Sequence, residues 1–293
     1  HDSWEKHDKL EREHYNTLTD TGYANLLRAG EAMEQMNAFY REFFHYGTEE
    51  DGHTVPKIEL RIFKTHEEYM KKGSSPVDWS GGQFTGEAVE TYIGDGSFTD
   101  MTGVLFHESA HQFVSLATTA SGWLNEGLAS FFEGTRLLAN GTVIMNLPAN
   151  HRLYPMVTRI EAGWMADEND GIDQAKPDKS EPKKAPTFRI VLEDKYAWGP
   201  PWYAPTWALV YFLYNYQDPV DGRYVYRAGF RTFINKSGGR AGKGAVKNFE
   251  EVVLASPEPP IKGVARPKGA ADVPLPKTVA ELDSVWKGWL IAL

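Results

Sequence analysis

The chain has no cysteine among its 293 residues. This excludes disulfides and thiolate ligands, so any protein-bound metal must use histidine and carboxylate donors. It also lacks an apolar run approaching the roughly 20 residues that span a bilayer, and no membrane span is expected. Basic residues are the minority: 31 Lys and Arg stand against 40 Asp and Glu, for a net charge of -9. With no basic cluster to track a phosphate backbone, nucleic acid is not an expected partner. There is no internal repeat, and the Gly- and Lys-rich stretch 236–244 lacks the spacing of a phosphate-binding loop. A hydrophobic content of 41% and a charged content of 24% are ordinary for a globular chain, and the length allows a large core. The first residue is His1 rather than Met, as in a processed or a recombinant product; localisation is left open, with an extracytoplasmic (secreted or periplasmic) setting slightly favoured.

One stretch is chemically dense: residues 106–132, F-HESAH-QFVSLATTASG-WLNEGLA-SFF. If 104–117 is a helix, His107 and His111 are four residues apart and share one face, a turn from each other. Two imidazoles so placed can hold one cation, with Glu108 beside the metal rather than on it. Zinc suits this set, because it takes nitrogen and carboxylate ligands and leaves a position for water in catalytic sites. Glu108 can then deprotonate a water that the metal has acidified. Residues 118–122 read as a turn and 123–138 as a second helix, with Leu124, Leu128, Phe131, Phe132 and Leu138 forming its apolar face. Glu126 falls in the first turn of that helix, where an unpaired carboxylate is costly to bury, and a metal supplies the partner. Gly127, a poor helix residue, suits a place where something approaches the backbone closely. Glu133, seven residues beyond Glu126, is a candidate to orient a metal-ligating side chain; an exposed helix position is the competing reading.

HESAH at 107–111 followed by WLNEGLA at 123–129 resembles the gluzincin metallopeptidases, the clan of thermolysin-like proteases and the leukotriene hydrolase/aminopeptidase group. The interval from His111 to Glu126 is shorter than in those two groups and fits better the peptidase MA-like domains, many of them bacterial and of unknown function. The resemblance implies a zinc-dependent hydrolase with His107, His111 and Glu126 as metal ligands and Glu108 as general base. It also implies an α+β chain of zincin (thermolysin-like) fold, with a mixed-sheet upper lobe carrying the active-site helix and a mostly helical lower lobe. The expected boundaries are 1–99 and 100–293, together one two-lobed catalytic domain. Tyr203 opens a helix in Y-A-P-T-W-A-L-V-Y-F-L, and Pro205 is tolerated in the first turn. By resemblance to the aminopeptidase group, Tyr203 is the phenol that donates a hydrogen bond to the tetrahedral intermediate, although the Glu-Lys-Gly that follows it there is missing here.

The rest of the chain gives coarser expectations. Residues 1–13 read as a charged stretch that frays or forms a solvated helical turn, and 15–19 as a strand. Asp20 reads as the cap of a helix over 23–44 whose inward face is Leu26, Leu27, Met33, Met36, Phe39, Tyr40 and Phe43. The alternation over 57–63 predicts a strand, Thr65 caps a short helix over 67–72, and 83–84 with 88–93 read as a hairpin or two adjacent strands. In zincins an edge strand binds an extended peptide by strand addition, and by position Gly82, Gln83 and Phe84 are the candidates here. His1, His7, His14 and His151 lack ligand spacing and read as surface or structural residues. Residues 166–186 read as a surface loop, either an insertion or a lid, 224–234 as helix, and Thr278 as the cap of a last helix to 293.

The expected partner is a peptide or protein substrate, and the expected cofactor is zinc. Glu87 and Glu90 are only loose substitutes for the Gly-x-Met-Glu-Asn sequence with which aminopeptidases hold a free amine, so an endopeptidase is favoured. Two alternatives remain open: a catalytically silent zinc-containing interaction module, and a zinc hydrolase of a non-peptide amide or ester.

Overall fold

The computed structural model describes residues 8–75, 77–95, 98–164, 185–193, 202–237, 242, 244–264 and 274–293. His1, His7 and all but the last two residues of the 166–186 stretch lie outside these. The chain is α+β and divides into two compact units, His1–Ala117 with Phe131–Ala149, and Thr118–Ser130 with Asn150–Leu293.

The first unit is built on a five-stranded mixed sheet of order β1-β2-β3-β5-β4, comprising β1 (Asp8–Glu11), β2 (Tyr15–Thr19), β3 (Ile58–Phe63), β4 (Gly82–Phe84) and β5 (Ala88–Tyr92). The two outer pairs, β1 with β2 and β4 with β5, are antiparallel; β2, β3 and β5 run parallel. Ile58, Leu60 and Ile62 alternate with Glu59 and Arg61, which sends the apolar set to one face, where it is buried. That pattern also fixes the register, because a one-residue slip would expose it. Helices α1 (Tyr23–Phe44) and α3 (Phe98–Ala117) pack on each other, α1 covering β2 and α3 covering β5 and β4. Between them Tyr40 meets Phe113 at 5.1 Å and Phe132 edge-on at 4.7 Å. The short helix α2 (His66–Lys72) starts at Thr65, whose side chain accepts from the Glu68 N–H as expected.

Two expectations for this unit are corrected. Residues 8–11 form the outer strand β1, not a helical turn. Its charged residues point to solvent, as suits an exposed edge, while Leu10 packs on α1 at Gly30, where a Cβ would come within 2.9 Å of it. Asp20 does not cap α1. Gly22, at φ 102, is the N-cap, and no side chain bonds there; a positive φ that glycine tolerates makes the turn instead.

In the second unit α7 (Tyr203–Asn215) is the centre, with eleven of its residues buried, as expected for a helix apolar on all sides. Around it pack α5 (Asn150–Glu161), α6 (Phe188–Leu192), α8 (Arg227–Thr232) and α10 (Val279–Ile291), with α9 (Ala245–Phe249) against α6. Thr278 and Glu281 form the reciprocal capping box of α10. The helix expected over 224–234 starts later, at Arg227, and continues beyond α8 as a π-helical turn over Phe233–Ser237. Tyr224 bridges back to Gln217, and the buried Arg223 ties this hairpin by pairing with Asp218 at 2.9 Å and with the Glu258 carbonyl at 2.9 Å. Among the described residues no helix is long and apolar enough to cross a membrane.

Candidate metal centre

Helix α3 carries two chemically different stripes. Leu105, Phe106, Ala110 and Phe113 are fully buried against the sheet and α1. His107, Glu108 and His111 occupy the other face; His107 is 6% exposed, and Glu108 and His111 are half-buried. The buried Tyr40 phenol donates to the Phe106 carbonyl at 2.7 Å, fixing the helix one residue before the first histidine. The two imidazoles lie edge to face, ring centres 5.0 Å apart.

The His107 Nδ1 atom is 2.8 Å from Glu133 Oε1, and both side chains are nearly dry. With Nδ1 so engaged, Nε2 is the atom left to a metal, the usual division of labour in metal-bound histidine. Glu133 is therefore not an exposed helix residue. It is also not on the helix expected to carry it: α4 (Gly122–Phe131) ends before Phe132, and Glu133 sits in a single 3₁₀ turn, Phe132–Gly134, that leads to a two-stranded sheet of β6 (Arg136–Leu137) and β7 (Val143–Ile144). Leu138 lies beyond β6, exposed. At the end of that turn, a Cβ on Gly134 would lie 1.8 Å from the Leu147 carbonyl; only glycine lets the chain pass there.

Glu126 enters from the first half of α4. One donor atom each from His107, His111 and Glu126 lies within 4.8 Å of the other two, and this is the one such group among the described residues that could hold a metal ion. Two nitrogens and a carboxylate form a donor set that zinc accepts, at bond lengths of about 2.0–2.2 Å. The residues fit such an ion, since Glu133 takes up Nδ1 of His107 and leaves its other ring nitrogen for the site. Next to Glu126, Gly127 makes the close approach expected of it. A Cβ would stand 2.8 Å from the Thr206 carbonyl and 2.9 Å from Val210, so α4 lies directly on the first half of α7.

Gly82, Gln83 and Phe84 form β4, which ends the sheet order and is an edge strand as expected. Gly82 touches α3: a Cβ there would come within 2.9 Å of the Glu108 Cγ and 2.7 Å of Val104. Tyr203 is the first residue of α7, one turn before Thr206 and hence at the end of α7 that meets α4. The Arg152 guanidinium stands 4.8 Å from the Tyr203 ring centre, a contact that nothing in the sequence pattern announced. Glu90 is 1% exposed and paired with Arg61 at 3.0 Å, and it accepts from the Ser74 N–H at 2.7 Å. Glu87 is exposed in the hairpin turn. His14 pairs with Glu34, and His151 is exposed on α5. No protein-family model matches this chain, and no curated protein matches it either.

Proposed function

We propose that the protein is a zinc-dependent metallopeptidase of gluzincin type, close in organisation to the peptidase MA-like domains and with a zincin arrangement of edge strand and motif helix. The observation that carries this reading is the convergence of the His107, His111 and Glu126 donor atoms, with Glu108 on the same helix stripe. His107, through Nε2, His111 and Glu126 would hold the ion. When bound, zinc supplies Lewis acidity, lowering the pKa of water and polarising a carbonyl. Glu108 takes the proton from the attacking water and passes it to the leaving amine. Tyr203 donates its phenolic hydrogen bond to the developing oxyanion. Glu133 keeps His107 in its metal-binding tautomer. The β4 edge aligns an extended peptide by main-chain hydrogen bonds next to Glu108.

Endopeptidase action is favoured over removal of terminal residues. Of the two carboxylates an amine anchor could draw on, Glu90 is committed to Arg61 and Ser74, and Glu87 is in an exposed turn. The test is cleavage of a mixed peptide library by zinc-loaded protein, chelator-treated protein and Glu108→Gln. Chelation should abolish cleavage and added zinc restore it, while Glu108→Gln should keep zinc and lose about 10²–10⁴-fold in turnover. Full turnover in Glu108→Gln would remove the mechanism. Zinc binding without any cleavage would favour the silent interaction module instead.

A further inference from the structure

Two consecutive glycines open the β4 edge, Gly81 just before the strand and Gly82 as its first residue, a pliable start for a strand. At Gly82 the choice is forced by space. A Cβ would meet Val104, Glu108 and the Glu90 carbonyl, all within 2.9 Å. Two buried hydroxyls offset the resulting looseness. Thr91 Oγ1 donates to the Gly81 carbonyl at 2.9 Å, and Ser80 Oγ donates to the Gly82 carbonyl. Ser80 has a single hydroxyl proton, given to that carbonyl, so the contact of 3.1 Å between Ser80 Oγ and the Tyr69 hydroxyl must have Tyr69 as donor. Tyr69 and Thr91 are fully buried and Ser80 is 8% exposed, so this chain of hydrogen bonds runs with little competition from water. Burial also raises the Tyr69 phenol above its ordinary pKa, which keeps it protonated and donating.

The strand geometry says what the clamp holds. The Thr85 N–H bonds to the Ala88 carbonyl, which makes Thr85 and Ala88 a hydrogen-bonded pair. Alternation along the antiparallel ladder then makes Gln83 and Glu90 the next such pair and turns the main-chain groups of Gly82 and Phe84 to the open side of the strand. The Gly82 carbonyl held by Ser80 is thus one of the outward groups, in the residue that touches Glu108.

We propose that Tyr69, Ser80 and Thr91 are positioning residues that preorganise the Gly81–Gly82 edge beside Glu108 for docking of an extended peptide, an inference that rests on the peptidase reading above. An edge already fixed in its bound conformation spares the ordering cost of binding, and that saving is realised only by substrates long enough to lie along it. The test compares zinc-loaded wild type, Ser80→Ala, Tyr69→Phe, Thr91→Val and the Tyr69→Phe/Ser80→Ala double variant. Each is assayed on a ten-residue peptide and on a blocked dipeptide too short to reach the edge. Each single variant should raise KM for the long peptide about fivefold, the effect of one lost hydrogen bond, with kcat, zinc content and dipeptide cleavage unchanged. The double variant should be no worse than Ser80→Ala, because Tyr69 acts through Ser80. Equal losses on both substrates, or no loss on the long one, would overturn the positioning role while leaving the peptidase reading intact. Wild type that cleaves neither substrate would sink both. Tyr69→Phe keeps the aromatic packing against Phe63 and Tyr92, so it carries the test should Ser80→Ala fold poorly.

Discussion

Glu133 offers the most informative perturbation of the metal centre. Its Oε1 is 2.8 Å from His107 Nδ1, with the two side chains 7% and 8% exposed. A hydrogen bond to an ionised carboxylate in so dry a place is about twice as strong as a neutral one. Loss of such a partner behind a metal-bound histidine costs about 10- to 100-fold in metal affinity. Glu133→Gln keeps the shape and one acceptor, so it belongs at the lower end, about tenfold weaker for zinc. Glu133→Ala leaves the His107 N–H buried with its acceptor gone, which adds about 1–3 kcal/mol of desolvation penalty and moves it to the upper end. The assay is competition for zinc between the protein and a chromophoric chelator, with circular dichroism to verify that each variant is folded. The expected order of affinity is wild type, then Gln, then Ala. Three equal affinities would refute the claim that Glu133 fixes the ligand through Nδ1.

Gly127→Ala should destabilise the fold. The gain in helix propensity is about 1 kcal/mol, but the added methyl meets the backbone carbonyl of Thr206 at 2.8 Å. Overpacking against main chain costs about 1–3 kcal/mol, so the clash wins; thermal denaturation should show a lower Tm, and a higher one would contradict the packing. A second prediction concerns alkaline pH. Burial raises the phenols of Tyr15, Tyr40 and Tyr226 well above their ordinary range and pushes Tyr211 up to about 12. Between pH 10 and about 12 the unfolded chain has released phenolic protons that the folded chain retains, so the folded state binds more protons and stability falls as pH rises. Ultraviolet titration should therefore show these tyrosines ionising late and together with unfolding; early, independent ionisation would contradict their burial.

Much of the fold and of the candidate site could be read from the residues, and the failures have a common cause. The convergence of His107, His111 and Glu126 was legible because HESAH and WLNEGLA put ligand-type side chains at fixed intervals, and α7 because its apolar run begins at Tyr203. The edge strand was legible from a short hairpin pattern next to glycines. The β1 strand was not, because an outer strand with three charged residues and a single inward leucine leaves no hydrophobic alternation to detect. The end of α4 was missed because Phe131 and Phe132 continue an apolar helix pattern, while the tight passage of Gly134 against the Leu147 carbonyl just beyond is a tertiary contact. The same holds for Glu133, whose partner is 26 residues away in sequence. The Tyr69–Ser80–Gly82 relay was also invisible, since hydroxyl residues near glycines read as ordinary loop until β5 is placed beside them.

The central claim is that two imidazoles and one carboxylate share a single divalent ion and leave room for solvent. X-ray absorption at the zinc edge of the protein loaded with one equivalent tests it directly. The expected spectrum shows two imidazole nitrogens with oxygen donors, including one exchangeable solvent ligand, and loses the carboxylate contribution in Glu126→Ala. A third imidazole, a shell closed by protein donors, or a spectrum unchanged by Glu126→Ala would contradict it.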